Sequence, residues 1–131
     1  MSQTFRIAVY GTLRIGGRLN YHLDGSRHIG MARTVAPYKM ISHNDGYPEL
    51  LELPGACPVV VDLYEVDGET LKCLDRIERH PYWYCRKQVT IQSSDGKAIL
   101  GQAWIYFMQR QPRTDAKVVE NGDWIEYEKH L

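Results

Sequence analysis

The sequence predicts an α+β fold: a small mixed β-barrel-like sheet with one main helix and short peripheral helices. Three observations carry that expectation. Lys87 to Ser94 alternates, with Val89 and Ile91 on one face and Gln88, Thr90 and Gln92 on the other, the period of a half-buried strand. Asp95-Gly96 follows as a hairpin turn, and Ile99 to Met108 reads as the return strand. Only the stretch after Asp67 is clearly helical. Several strands with one long helix suggest a twisted, barrel-like sheet.

In chain order, Phe5 to Tyr10 is a short apolar run that stops at Gly11, as a buried strand does. Gly16 and Gly17 break regularity, and a short helix is expected near Leu19 to Leu23. Met31 to Ser42 reads as one extended stretch, with Pro37 marking an edge or a bulge. Asp45-Gly46 signals a turn. Val59 to Val66 is rich in valine and reads as a central strand. Asp67 or Gly68 can start the main helix, which Glu69 to Arg79 fills. Ile99 to Met108 is apolar on both faces, which implies cover on both sides. The tail from Pro112 to Leu131 is polar, with Trp124 as its one large anchor. Five or six strands are expected in all. The 131 residues suit a single domain spanning 1–131.

Composition narrows the function. Sixteen basic residues balance sixteen acidic ones, a poor basis for holding nucleic acid or an anionic membrane by bulk charge. No apolar stretch is long enough to span a bilayer. Residues Met1 to Tyr10 lack the features of a secretion signal. Three widely spaced cysteines, Cys57, Cys73 and Cys85, match neither a zinc pattern nor a disulfide framework, so reduced thiols in the cytoplasm are expected. The histidines have no helical metal spacing, and no metal is assigned.

One acidic residue breaks the helical pattern. With Leu71 at zero on a wheel of roughly 100° per residue, Leu74 falls near 300°, Ile77 near 240° and Glu78 near 340°. Glu78 therefore lies inside the apolar stripe. Two readings stay open: a side chain that reaches water from the last helical turn, or one that points into a partly dry pocket. In the second case burial raises its pKa and suits it to move protons near neutral pH. The loop Tyr10-Gly11-Thr12-Leu13-Arg14 offers backbone N–H groups that can converge on an anion. Gly11 is expected to supply unusual backbone angles there, and Arg14 a forked contact to a carboxylate. The alternative for this segment is an ordinary strand-ending turn. Cys85 lies near His80 in sequence, so a Cys–His nucleophile is a rival, against packing for the cysteine.

Tyr10-Gly11-Thr12-Leu13 at the end of an N-terminal strand resembles the YGTL signature of the gamma-glutamylcyclotransferase-like superfamily. Tyr47-Pro48-Glu49-Leu50, Leu63 to Asp67, Leu71, Leu74 to Glu78, Tyr84, Arg86 and Gly122-Asp123-Trp124 resemble further pieces of it in order, across nearly the whole chain. The likeness is greatest to short bacterial members and to gamma-glutamylamine cyclotransferases. The resemblance implies a small barrel with helices outside and a cavity at one side. It implies Glu78 as the catalytic acid/base and Tyr10, Gly11, Thr12 and Leu13 as substrate-binding residues, with Tyr84 lining the same pocket. The substrate would be a small γ-glutamyl compound, cyclised to 5-oxoproline with release of an amine, and no cofactor. The alternative is a non-catalytic barrel that binds such a compound or a protein partner. Many relatives have glycine after the catalytic glutamate, whereas Arg79-His80-Pro81 follows here, which leaves open the shape of the pocket rim and with it the leaving group accepted. The leaving amine and the oligomeric state are left open.

Overall fold

The computed structural model describes residues 3–43 and 46–131. Asp45 of the expected Asp45-Gly46 turn lies outside the described residues. Five strands close a barrel in the order β1 (Thr4–Val9), β5 (Val60–Asp67), β2 (Arg27–Thr34), β6 (Tyr84–Ser93) and β7 (Ile99–Met108). Neighbours are antiparallel, except that β1 meets β7 in parallel, with Ile7 opposite Trp104. That one parallel pairing closes the barrel and makes the sheet mixed. A second sheet has the order β4 (Tyr47–Pro54), β3 (Tyr38–His43), β8 (Lys117–Val118).

Two apolar clusters hold the fold. Inside the barrel, small Ala8, Ala32 and Ala103 share the core with larger residues such as Leu63, Ile91, Ile105 and Phe107, a mixture of sizes that suits the narrow interior of a closed sheet. Outside it, Ile7, Val9, Tyr64 and Val66 face Leu71 and Leu74 of helix α1 (Gly68–Ile77). The second half of β1 is thus buried on both faces, the physical reason Ile7 to Tyr10 is an unbroken apolar run. Helix α1 starts where the Asp67 side chain accepts the Thr70 N–H at 2.8 Å.

The structure departs from expectation in four places. Met31 to Ser42 is two strands in different sheets, not one. The break falls at Val35 to Pro37, where Thr34 Oγ1 donates to Ala36 O and accepts the Val59 N–H. Tyr47 to Pro54 is a full strand, so eight strands are present among the described residues rather than five or six. The return strand is covered on both faces only from Ala103 onward, while Ile99 is 65% exposed. The tail adds β8 and helix α2 (Trp124–Glu128), which plugs Trp124 fully into the barrel core. The short helix near Leu19 is a 3₁₀ turn over Asn20–Leu23. Among the described residues, no helix is long and apolar enough to cross a membrane.

Candidate active site

The loop after β1 is shaped by contacts made far away in sequence. Gly11 does not have a positive φ, contrary to expectation. Its requirement is steric: a Cβ there would sit 2.6 Å from Pro48 Cγ. Thr12 O accepts the Leu19 N–H at 2.9 Å, and a Cβ on Gly17 would lie 2.2 Å from that same oxygen. The loop is therefore folded back on itself. The N–H groups of Thr12 and Leu13 donate to no acceptor among the described residues.

Arg14 is not available to a ligand. It is 5% exposed and turned away from the cavity described below. Its Nε donates to Asp62 Oδ2 at 3.3 Å and its Nη1 to Asp123 Oδ1 at 2.8 Å. Asp62 Oδ2 also accepts the Ile15 N–H at 3.0 Å. The expected forked contact exists, but it is made to the protein's own carboxylates. It ties the loop to β5 and to the start of α2.

Glu78 is the residue just past the end of α1. His80 N–H donates to Asp75 O at 2.9 Å and Arg79 N–H to Arg76 O at 3.2 Å, the paired bonds of a Schellman ending. Arg79 has φ 51°, in the left-handed region. Glycine adopts that region without strain and arginine does not. The local backbone is thus one that favours glycine after Glu78, although this chain carries arginine. The helix end fixes the Glu78 backbone, and its side chain turns into a cavity of about 220 Å³. Among the described residues its carboxylate makes no hydrogen bond or ion pair. Burial pushes its pKa up from 4.5 to about 7, and the charge of nearby Glu49 pushes the same way.

The cavity brings Glu78 together with Tyr10, Gly11, Thr12 and Leu13, the five residues singled out from sequence, and with Tyr84. Pro48, Tyr106 and Arg18 are among the other residues that line it. A second buried acid lies near Glu78, in the Tyr47 to Leu50 segment to which the sequence gives no site role. Glu49 is 0% exposed; its Oε2 accepts the Tyr84 hydroxyl at 2.8 Å and Arg110 Nη2 at 3.2 Å. The signal that could have found it is an acid inside the run Pro48-Glu49-Leu50-Leu51, all four of which are buried. The Cys–His rival is not assembled: the Cys85 thiol lies against Arg86 O, and His80 Nδ1 accepts the Arg86 N–H.

The family model described as gamma-glutamyl cyclotransferase, AIG2-like, matches residues 7–126. A protein of Methanocaldococcus jannaschii that carries a provisional gamma-glutamylcyclotransferase name is 37% identical over 92% of this chain and 96% of its own. Gamma-glutamylaminecyclotransferase B of zebrafish, Danio rerio, is 34% identical over 76% of this chain and 57% of its own. The crystal structure of an uncharacterised Pyrococcus horikoshii protein superposes with TM-score 0.74 at 30% identity, covering 96% of each chain.

Proposed function

Because this chain belongs to the gamma-glutamyl cyclotransferase, AIG2-like family, we propose that it cleaves a γ-glutamyl amide by attack of the substrate's own α-amine. The observation that carries the proposal is the Glu78 carboxylate, unpartnered among the described residues and sharing a cavity with the loop 10–13. A C–N bond forms between the α-nitrogen and the γ-carbon, and the γ-carbon's bond to the departing nitrogen breaks. The products are 5-oxoproline and a free amine. Overall the α-nitrogen sheds two protons and the departing nitrogen gains two, so no oxidant, reductant or cofactor enters the balance.

The nucleophile is already tethered, and holding one conformer supplies most of the entropic gain. Proton movement is the remaining obstacle. An α-ammonium is not nucleophilic, and an amide nitrogen leaves poorly until protonated. A carboxylate with a pKa near 7 takes a proton and returns it with little thermodynamic bias at neutral pH. The Thr12 and Leu13 N–H groups supply donors for the γ-carbonyl oxygen as it gains charge. The leaving amine would pass the rim, where Arg18 stands. The zebrafish relative's name points to γ-glutamylamines as one class to try.

The test is a panel of γ-glutamyl amides, dipeptides and amines, read by mass spectrometry for 5-oxoproline, with wild-type protein and Glu78→Gln. Turnover by the wild type and loss of at least about 100-fold in kcat in the variant is expected. Full turnover by a folded Glu78→Gln protein would remove Glu78 from the mechanism. Tight binding without product by the wild type would instead identify a non-catalytic binder.

A further inference from the structure

Three tyrosines surround Glu78, and each has already committed its phenolic proton. Tyr10 donates to Tyr106 O at 2.9 Å, Tyr84 to Glu49 Oε2 at 2.8 Å, and Tyr106 to Asp75 Oδ1 at 2.6 Å. All three line the cavity, and the charge of Glu78 is felt at each hydroxyl. A phenol has one proton and two lone pairs, and an ionised carboxylate only accepts. Once the proton points at a carboxylate, the phenolic oxygen has only lone pairs left to offer. The wall around Glu78 is therefore made of acceptors. The facing loop offers donors, the N–H groups of Thr12 and Leu13.

That division selects a ligand. A carboxylate or carbonyl is repelled by an acceptor wall, whereas an ammonium, with three N–H donors and no acceptor, matches it. Resting on the γ-glutamyl reading above, we propose that the Tyr84 and Tyr106 oxygens, together with Glu78, form the subsite for the substrate's α-ammonium, and that Glu49 and Asp75 are positioning residues that hold those oxygens as acceptors. Both positioning residues are themselves anchored. Arg86 reaches both oxygens of Asp75, at 2.9 and 3.3 Å, and Arg110 reaches Glu49. Neither Glu49 nor Asp75 lines the cavity, so each acts through its tyrosine. Seating the ammonium here places its protons beside the one carboxylate in the wall that can take them.

The competing explanation is purely structural: Tyr106–Asp75 ties β7 to α1, and Tyr84–Glu49 ties β6 to β4. Two ligands separate the explanations. L-Glutamate γ-anilide carries the α-ammonium, and glutaric acid monoanilide is the same molecule without it. Binding of both is measured by calorimetry on the Glu78→Gln chain, which keeps the first ligand intact. Adding Tyr84→Phe or Tyr106→Phe should weaken the amine-bearing ligand roughly tenfold or more and leave the des-amino ligand nearly unchanged. Glu49→Gln added to Tyr84→Phe should weaken it no further, since Glu49 acts through that hydroxyl. Equal losses for both ligands in the two phenylalanine variants would overturn the subsite while leaving the γ-glutamyl reading intact. The two tyrosines are independent arms, so failure of one variant to fold leaves the other decisive. Binding of neither ligand, together with no wild-type turnover, would overturn the γ-glutamyl reading and this inference with it.

Discussion

Replacing Glu78 with glutamine should make the protein more stable at alkaline pH and leave its stability at acid pH unchanged. The folded-state pKa of Glu78 is about 7 against an ordinary 4.5. A raised folded pKa means that the folded protein holds its proton more tightly than the unfolded chain does. The resulting stability is fully present below the unfolded value and is lost as pH rises through the folded one. Above pH 7 the wild type must keep a carboxylate charged in a half-dry cavity beside Glu49, and Glu78→Gln does not. The gap of about 2.5 in pKa, at 1.36 kcal/mol for each, sets an upper bound of about 3.4 kcal/mol. Water entering the open cavity takes a share, so a gain of about 1–3 kcal/mol at pH 8.5 is expected, falling towards zero at pH 4.

The other groups facing Glu78 do not confuse the measurement. Tyr10, Tyr84 and Tyr106 are all shifted upward from their ordinary value of 10 by burial first, so none titrates in that window. Arg18 is common to both proteins, and the repulsion between Glu49 and Glu78, lost in Glu78→Gln, is part of the effect measured. Urea denaturation at several pH values, with a constant dependence on denaturant, gives the two stability curves. Parallel curves from pH 4 to 8.5 would show that Glu78 is solvated like an ordinary surface acid, and the proton-transfer argument would fail with it.

The acidic limb of kcat/KM should lie near pH 7, the Glu78 value in the free protein, and the limb of kcat should lie lower, because a bound ammonium favours the charged carboxylate; coincident limbs near 4.5 would contradict this. Gly11→Ala should lower stability by about 1–3 kcal/mol through the Pro48 clash and raise KM, and Pro48→Ala in the same chain should recover much of both in denaturation and kinetic assays. Arg14→Ala leaves Asp62 and Asp123 without their shared cation and should cost about 3–5 kcal/mol in denaturation, with KM of the folded fraction unchanged. Arg79→Gly should raise stability by about 1 kcal/mol, since φ 51° suits glycine, while the acidic limb of kcat/KM stays where it is.

What the sequence made legible was whatever repeats locally. Val89 and Ile91 do point into the barrel, and the Asp95-Gly96 hairpin joins β6 to β7. A helical wheel needs only ten residues to show Glu78 as an acid among leucines, although it leaves open whether the side chain faces water or a pocket. Long-range contacts left no such trace. Nothing near Gly11 announces Pro48, and nothing near Arg14 announces Asp62 or Asp123, so the reasons expected for both residues differ from the contacts they make. Strand β4 was missed because its first half is buried on both faces and so lacks alternation, while its central acid argues against burial. Met31 to Ser42 was joined because period-two patterning does not say which sheet a strand enters. Helix α2 has only five residues, so its buried Trp124 and half-buried Ile125 and Tyr127 form too short a run to show a periodic stripe.

Placing the acid at the helix end, rather than inside the helix, has a mechanical consequence. Two backbone bonds of the Schellman ending hold Glu78 by its main chain, so no side-chain bond is needed to locate it. Both carboxylate oxygens stay unengaged among the described residues, as the proposed transfer of a proton between two substrate nitrogens would need. The same position also keeps its pKa high. Burial comes first and the Glu49 charge second, and the negative end of the α1 dipole acts in the same direction. An acid anchored by an arginine would be better ordered but would lose both properties: its pKa would fall, and its oxygens would be occupied. The fold instead gives its arginines to the neighbours, Arg110 to Glu49 and Arg86 to Asp75. Glu78 is left as the carboxylate whose missing counter-charge the substrate itself would bring.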